Sequence, residues 1–384
     1  MTRRKVLVVC MFDSIHAGRW LSQFTDQDID FTLFPSKKFK RIHPKLADML
    51  NSNKGATFTI AHPVILPKVL GYLDFLFFVQ FPKIFRRNLR AKYLRKVSTK
   101  YKYDFVHALE IQGAGYLCDE AITKKDFKFI LTNWGSDIFY FQHLPEHLPR
   151  IKSVLAKADL YSAECQRDYK LATDLGFTGA QLPCIPNGGG LVTGETLSTG
   201  SPTSTRKNIV VKTYGGTFGR GGLAIEAVSK ILEEHSDLTV YFYSVTDDLL
   251  SQVLELKSKF GVRVNYSTLR KPISHGQLED IFAMSRIYIG CSISDGISTS
   301  FLEALTKGVY PIQTNTSCAG EWIDKGAVAS LIDLDIDQLD EALHLAITDD
   351  KVVDFAADKN LKITNSLLTS AKVAPIAQKF YAWQ

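Results

Sequence analysis

Thirteen short runs rich in β-branched and aromatic residues alternate with segments of helical period along the chain, and this alternation limits the folds open to it. In the first half the runs are Val6 to Cys10, Asp30 to Phe34, Thr57 to Ala61, Phe105 to Leu109, Phe127 to Asn133, Leu160 to Ala163 and Gln181 to Ile185. In the second they are Ile209 to Tyr214, Leu238 to Tyr243, Val262 to Tyr266, Ile287 to Ser292, Tyr310 to Thr314 and Ala329 to Ile332. Strands joined through helices pair in parallel and bury both faces, so an α/β architecture with two Rossmann-like parallel sheets is expected.

Between the halves lie Asn187-Gly188-Gly189-Gly190 and the Gly-, Ser-, Thr- and Pro-dense segment Thr193 to Asn208, which read as a linker. The expected division is a first domain over 1–188, a linker over 189–207, a second domain over 208–364 and a final helical segment over 365–384. No repeat recurs at a solenoid period. A hydrophobic content of 45% with 22% charged residues excludes a largely disordered chain. The six cysteines form no CxxC pair and no metal-ligand spacing, and most lie in apolar runs, so reduced core thiols in a cytoplasmic protein are expected. Met1 to Lys5 is basic, but the apolar run after it is too short for a signal-peptide core. No apolar stretch approaches the roughly 20 residues of a spanning helix.

Function concentrates in three places. After the apolar run Ile287 to Cys291 comes Ser292-Ile293-Ser294-Asp295-Gly296-Ile297-Ser298-Thr299-Ser300-Phe301-Leu302-Glu303-Ala304-Leu305, a strand feeding a helix. Ligands of open α/β sheets sit at such junctions. The backbone amides of Ser298, Thr299 and Ser300 at the helix start suit a phosphate oxygen. Asp295 and Glu303 flank that site and suit sugar hydroxyls. The same residues also fit a capping box from Ser300 to Glu303.

The second place is Ile209-Val210-Val211-Lys212-Thr213-Tyr214-Gly215-Gly216-Thr217-Phe218-Gly219-Arg220-Gly221-Gly222, a strand entering a glycine-rich turn. Glycines let amides approach a diphosphate, and Lys212 and Arg220 supply countercharge. The spacing is not GxGxxG, which weakens a nicotinamide-binding reading. Third are the loops after strands of the first half. They hold His16, Gly18 and Arg19 in Asp13 to Trp20, then His107, Glu110 and Gln112 in His107 to Tyr116, then Asp137 in Thr132 to Ile138. A lone histidine near a strand also fits a core position, and Asp137 also fits a helix cap.

Asp295 and Glu303 are separated by seven residues, and Gly308-Val309-Tyr310-Pro311-Ile312-Gln313-Thr314-Asn315-Thr316-Ser317 and Glu321-Trp322-Ile323 follow. This run resembles the signature of the retaining glycosyltransferases of family 4, the group 1 glycosyltransferases of GT-B fold. The resemblance implies two Rossmann-like domains facing across a cleft, with the last helix crossing back to the first domain. It implies a metal-independent retaining transfer, by front-face attack, from a nucleotide diphosphate sugar, UDP foremost, to an acceptor hydroxyl of a bacterial polysaccharide or lipid-linked glycan. The nucleotide sugar is a co-substrate and no cofactor is expected. Arg220, Lys212 and Asp295 take catalytic roles. Glu303, Gly296, Ile297, Ser298, Thr299 and Gly18 bind donor, and His107, Glu110, His16, Arg19 and Asp137 lie on the acceptor side. A non-hydrolysing nucleotide-sugar epimerase and a non-catalytic sugar-nucleotide-binding scaffold are the alternatives.

Charge is uneven. Residues 1–185 hold 28 Lys/Arg against 17 Asp/Glu, whereas the remainder holds 18 against 23. From Lys83 to Lys102 nine cations meet no acid, directly after the aromatic-rich stretch Leu70 to Phe81. An anionic membrane surface is the expected partner, which would place the protein peripherally at the inner face. No nucleic-acid motif accompanies the charge.

Overall fold

The computed structural model describes residues 3–51, 54–61, 83–186, 190 and 201–383, with side chains in the helix Lys83–Lys100 described from residue 89 onward. Leu70 to Phe81 and most of the expected linker lie outside the described residues. The chain divides into two compact units, Met1–Gly189 with Val373–Gln384, and Gly190–Lys372.

In the first unit β1 (Arg4–Cys10), β2 (Ile29–Pro35), β3 (Thr57–Ile60), β4 (Phe105–Leu109), β5 (Lys128–Thr132), β6 (Leu160–Ser162) and β7 (Ala180–Gln181) form one sheet. Its order is β3-β2-β1-β4-β5-β6-β7, and every pair is parallel. The order reverses between β1 and β4. In the second unit β8 (Asn208–Lys212), β9 (Thr239–Val245), β10 (Val264–Thr268), β11 (Ser285–Gly290), β12 (Tyr310–Thr314) and β13 (Ser330–Ile332) follow the order β10-β9-β8-β11-β12-β13, again all parallel. Here the reversal falls between β8 and β11.

Each of the thirteen expected runs contains a strand, several trimmed by one or two residues at an end and one nearly lost. Of Gln181 to Ile185 only Gln181 lies in a strand, because Pro183 has no N–H to continue the ladder after Leu182 N bonds Tyr161 O at 2.8 Å.

Side-chain alternation divides each strand between two cores. Leu7 and Val9 face the helices Lys83–Lys100, Tyr116–Ala121 and Leu148–Lys157, whereas Val6 and Val8 face Ile15–Ser22, Pro44–Leu50 and the C-terminal segment. In the second unit Ile287 and Ile289 pack with helices Gly221–Glu234 and Ile336–Thr348, and Tyr288 packs with Thr299–Thr306. Cys10, Cys118, Cys184 and Cys291 are free thiols, whereas Cys165 and Cys318 are disulfide-bonded, so the expectation of six reduced thiols fails at two positions.

Val373, Ala377, Phe380 and Tyr381 bury in the first unit beside Trp20, Phe24 and Phe31. A polar chain runs through this apolar site. Trp20 Nε1 donates to the Tyr381 hydroxyl at 3.3 Å, which lies 2.7 Å from His107 Nδ1. His107 Nε2 lies 2.6 Å from Thr132 Oγ1, which lies 2.6 Å from Ser162 Oγ. Both ring nitrogens are satisfied if Tyr381 donates to Nδ1 and the proton of a neutral His107 sits on Nε2 and donates to Thr132 Oγ1. The histidine expected on the acceptor side is thus a satisfied core residue, fully buried, with both ring nitrogens bonded within the unit.

Burial holds His107 down to about 3 from its ordinary 6.5. Between those values the unfolded chain binds the extra proton, so stability is complete above about pH 6.5 and falls with acidification by at most about 1.4 kcal/mol per unit from this group. Urea unfolding at a series of pH values is expected to show this slope in the parent chain and a flatter one in His107→Gln.

Candidate functional site

In the second unit the loops that follow the two central strands are joined by main-chain bonds. Lys212 ends β8 and pairs in register with Gly290 at the end of β11. Beyond them Arg220 N bonds Cys291 O at 3.0 Å, Ile293 N bonds Phe218 O at 2.9 Å, and Gly219 forms a bridge with Ser292. The loop after β12 joins through Cys318 N to Gly296 O at 2.8 Å and Ser292 N to Thr314 Oγ1 at 3.0 Å. Three loops are therefore locked together at the C-terminal edge of the strands.

The turn tolerates this only with glycine. A Cβ on Gly219 would lie 2.0 Å from the Tyr214 carbonyl oxygen. Gly216 has φ 71° in open space. Arg220 sits at the start of helix Gly221–Glu234, with Nη1 on the Gly219 carbonyl at 2.6 Å and further contacts at 3.4 Å to the carbonyls of Gly216 and Thr217.

Helix Thr299–Thr306 is capped by Ser298, whose Oγ accepts from Phe301 N at 3.5 Å. The capping box from Ser300 to Glu303 does not form, because Ser300 already lies in the first turn and Glu303 stands two positions beyond Phe301, the residue placed to reach back to Ser298. Glu303 is instead 12% exposed, with His275 Nε2 4.0 Å from its Oε1. Asp295 Oδ1 accepts from Gly296 N at 2.9 Å, and Gly296 and Ile297 are buried. Amides in the first helical turn have no intrahelical acceptor, which leaves those of Thr299 and Ser300 for a ligand.

Lys212 connects these groups. Burial works against its charge, but Tyr214, Asp295, Tyr288 and Glu303 outweigh burial and hold the ammonium well above the ordinary lysine value. Its Nζ also lies 4.9 Å from the centre of the Tyr214 ring. Lys212, Asp295 and Glu303, separated by up to 91 positions in sequence, thus act on one another at the strand reversal.

In the first unit Glu110 and Asp137 come together beyond β4 and β5. Glu110 has φ 87°, a conformation strained for a non-glycine residue, and its carboxylate accepts from Gly113 N at 2.8 Å and Ala114 N at 2.7 Å. Asp137 accepts from Ile111 N at 3.0 Å; the N-cap of its short helix is Gly135, so the capping reading of Asp137 fails. Burial pushes both carboxyls up. The charge of Glu110 adds to the rise at Asp137, which reaches about 7, whereas amides partly offset burial at Glu110. His16 is half-buried with its ring centre 5.3 Å from that of Trp134, and Arg19 lies on the same helix.

Residues 73–165 match the family profile described as glycosyl transferase 4-like. HepE of Anabaena, solved with UDP-glucose, superposes with a TM-score of 0.71 at 12% identity, over 99% of this chain and 100% of that one. The fold is GT-B. Sucrose-phosphate synthase of Thermosynechococcus elongatus superposes at 0.72 and 12% identity over 99% and 98% of the two chains. The UDP-forming α,α-trehalose-phosphate synthase of Burkholderia xenovorans does so at 0.67 and 10%, over 99% and 98%. No curated protein matches the sequence significantly.

Within this GT-B chain the structure groups Lys212, Asp295, Gly296, Ile297, Ser298, Thr299 and Glu303 with the Arg220 turn in one unit, and Glu110 with Asp137 in the other. Gly18 stands apart from both sets. It is buried inside helix Ile15–Ser22, and a Cβ there would lie 2.9 Å from Lys45 Cβ, so helix packing rather than a donor accounts for the glycine. His275 and Trp134 escaped the sequence reading. The signal for His275 was Ser274-x-x-Gln277, which does form a capping box at the start of its helix.

Gly219→Ala is expected to cost more than about 2 kcal/mol in urea unfolding, since the rigid Tyr214 carbonyl must move. Gly216→Ala should cost only about 1 kcal/mol, because its φ is unfavourable but its surroundings are empty.

Proposed function

We propose that the protein is a retaining glycosyltransferase that moves a sugar from a nucleotide diphosphate donor, UDP foremost, to a hydroxyl of a glycan or lipid-linked acceptor. The observation that carries this reading is the convergence of Lys212, Asp295 and Glu303 beside a helix start at the strand reversal of the second unit. Glu303 holds ribose or sugar hydroxyls, Asp295 and the amides from Gly296 to Thr299 hold the transferred sugar, and Lys212 with Arg220 faces the diphosphate. As the bond from the anomeric carbon to phosphate oxygen breaks, the acceptor oxygen bonds that carbon from the same face and its proton passes to the departing phosphate. Negative charge grows on that phosphate, and fixed cations of the chain stabilise it. Acceptor recognition falls to the first unit, where burial pushes the carboxyls of Asp137 and Glu110 up and the raised Asp137 carboxyl suits a hydrogen bond to a sugar hydroxyl. The solved relatives that carry UDP or UDP-glucose support the donor class.

Thermal shifts in UDP, GDP and ADP and their sugars test this. A ligand at 100 times its dissociation constant adds about 2.7 kcal/mol of stability. We expect one nucleotide sugar to do so in the parent chain and none in Glu303→Ala, which should fold because Glu303 is not a cap. Equal stabilisation of both proteins by every nucleotide would reject the assignment.

The basic helix is proposed to bring the enzyme to anionic lipid. Among the described residues no helix is long and apolar enough to cross a membrane. Arg90 and Arg95 are committed to the fold, Arg90 Nη1 to Ser36 O at 2.8 Å, and Arg95 to Ala121 O at 2.9 Å and Glu120 O at 3.0 Å. Lys92, Lys96, Lys100 and Lys102 are exposed, near Leu89 and Tyr101 at 40% and 47% exposure. Each lysine near anionic lipid adds about 1 kcal/mol. Replacing these four by Gln should abolish cosedimentation with anionic vesicles and leave donor binding unchanged; undiminished cosedimentation would return the helix to a solvated surface.

A further inference from the structure

A second cluster of chemistry lies at the far end of the second unit, and nothing in the transfer reaction uses it. Helix Gly221–Glu234 leaves the glycine-rich turn and runs beside Ile336–Thr348, so its last residue is about 20 Å from the turn by helical rise. The two helices run parallel, because side chains pair at matching steps. Lys230 Nζ meets Asp340 Oδ2 at 2.8 Å, and one turn further along both helices Glu234 Oε2 meets His344 Nε2 at 3.6 Å. His235 follows Glu234 directly, and one donor atom from each of Glu234, His235 and His344 lies within 4.8 Å of the others.

The backbones that carry these ligands are pinned. His235 N bonds Ile231 O at 2.9 Å, its carbonyl accepts from Arg263 Nη1 at 2.9 Å, and His344 O accepts from Thr348 Oγ1 at 2.7 Å. Nearby ammonium groups are already paired, Lys230 with Asp340 and Lys259 with Glu233. Two imidazoles and a carboxylate are a borderline-soft donor set, suited to Zn²⁺ and disfavouring Ca²⁺ or Mg²⁺, which take oxygen ligands. Tetrahedral ligands about 2.0–2.2 Å from zinc sit roughly 3.3–3.6 Å apart, so the Glu234–His344 separation already fits and His235 needs only a side-chain adjustment.

We infer that Glu234, His235 and His344 bind one divalent transition metal of the zinc type, with a fourth position open to water, at a site remote from the nucleotide-sugar pocket. The metal clamps the end of one helix to its neighbour, independently of whether the transferase reading holds.

Calorimetric titration of the full chain with zinc chloride at about pH 7.5 tests this, with cobalt absorption as the probe of tetrahedral geometry. The parent chain should take up one equivalent, and His344→Ala and His235→Ala/His344→Ala should bind at least about tenfold more weakly with unchanged circular dichroism. Calcium should give no heat. A double variant that binds zinc within tenfold of the parent, or a parent chain that takes up no zinc, overturns the site; nucleotide binding should be the same with and without zinc in either case.

Discussion

The parallel pairing of β8 with β11 is the contact on which the candidate donor site depends. Because each strand carries its side chains alternately to two cores, the pair is fixed in register from both faces, and the register sets Lys212 opposite Gly290. The loops that leave these strands then have no freedom to separate, since Arg220, Ile293 and Gly219 bond across them by main chain alone. Main-chain bonds of this kind fix the loops that carry Asp295 and Arg220 without drawing on their side chains. A site held in this way is preorganised, which is what stabilisation of a charged leaving group demands.

The first unit solves a different problem, the burial of polar groups in a sheet covered on both faces. His107, Thr132 and Ser162 occupy neighbouring strands, and each would be costly there without a partner. Tyr381, brought in from the end of the chain, completes the set, so the apolar contacts of Phe380 and the hydroxyl of Tyr381 act together to seat the C-terminal segment. Beyond the strand ends the same unit buries Glu110 in a strained conformation and Asp137 with its carboxyl pushed up by burial. Strain and raised carboxyls at a strand reversal are features of functional sites rather than of cores.

The architecture was legible because it rests on local information. Apolar runs of strand length, punctuated by glycine and proline, recur often enough that thirteen strands could be placed, and β7 was misjudged only where Pro183 cuts the pairing short. The positions of the proposed donor-side residues were legible for a related reason, since Lys212 ends β8, Arg220 and Asp295 lie in the loops after β8 and β11, and Glu303 lies in the helix that follows β11. That Ser298 rather than Ser300 caps the following helix was not legible, because Ser300-x-x-Glu303 carries the capping-box pattern and Ser298, with Phe301 three residues on, does not. The choice was made by the Cys318–Gly296 bond and the strand register, which fix where the loop stops.

Sequence by itself determined the two parallel sheets, the ends of the strands at which chemistry can occur, and the residue types present there, because hydrophobic period and turn residues act over a few positions. Tertiary structure alone decided what each polar group does. His107 reads as an acceptor-side residue until Tyr381, 274 positions away, takes its ring nitrogen. Gly18 reads as a ligand glycine until Lys45 closes over it, and His344 as an ordinary helical residue until Glu234 meets it. A hydrogen bond or a coordination site needs two partners within about 3 Å, and only the packed chain brings partners that far apart in sequence to that distance.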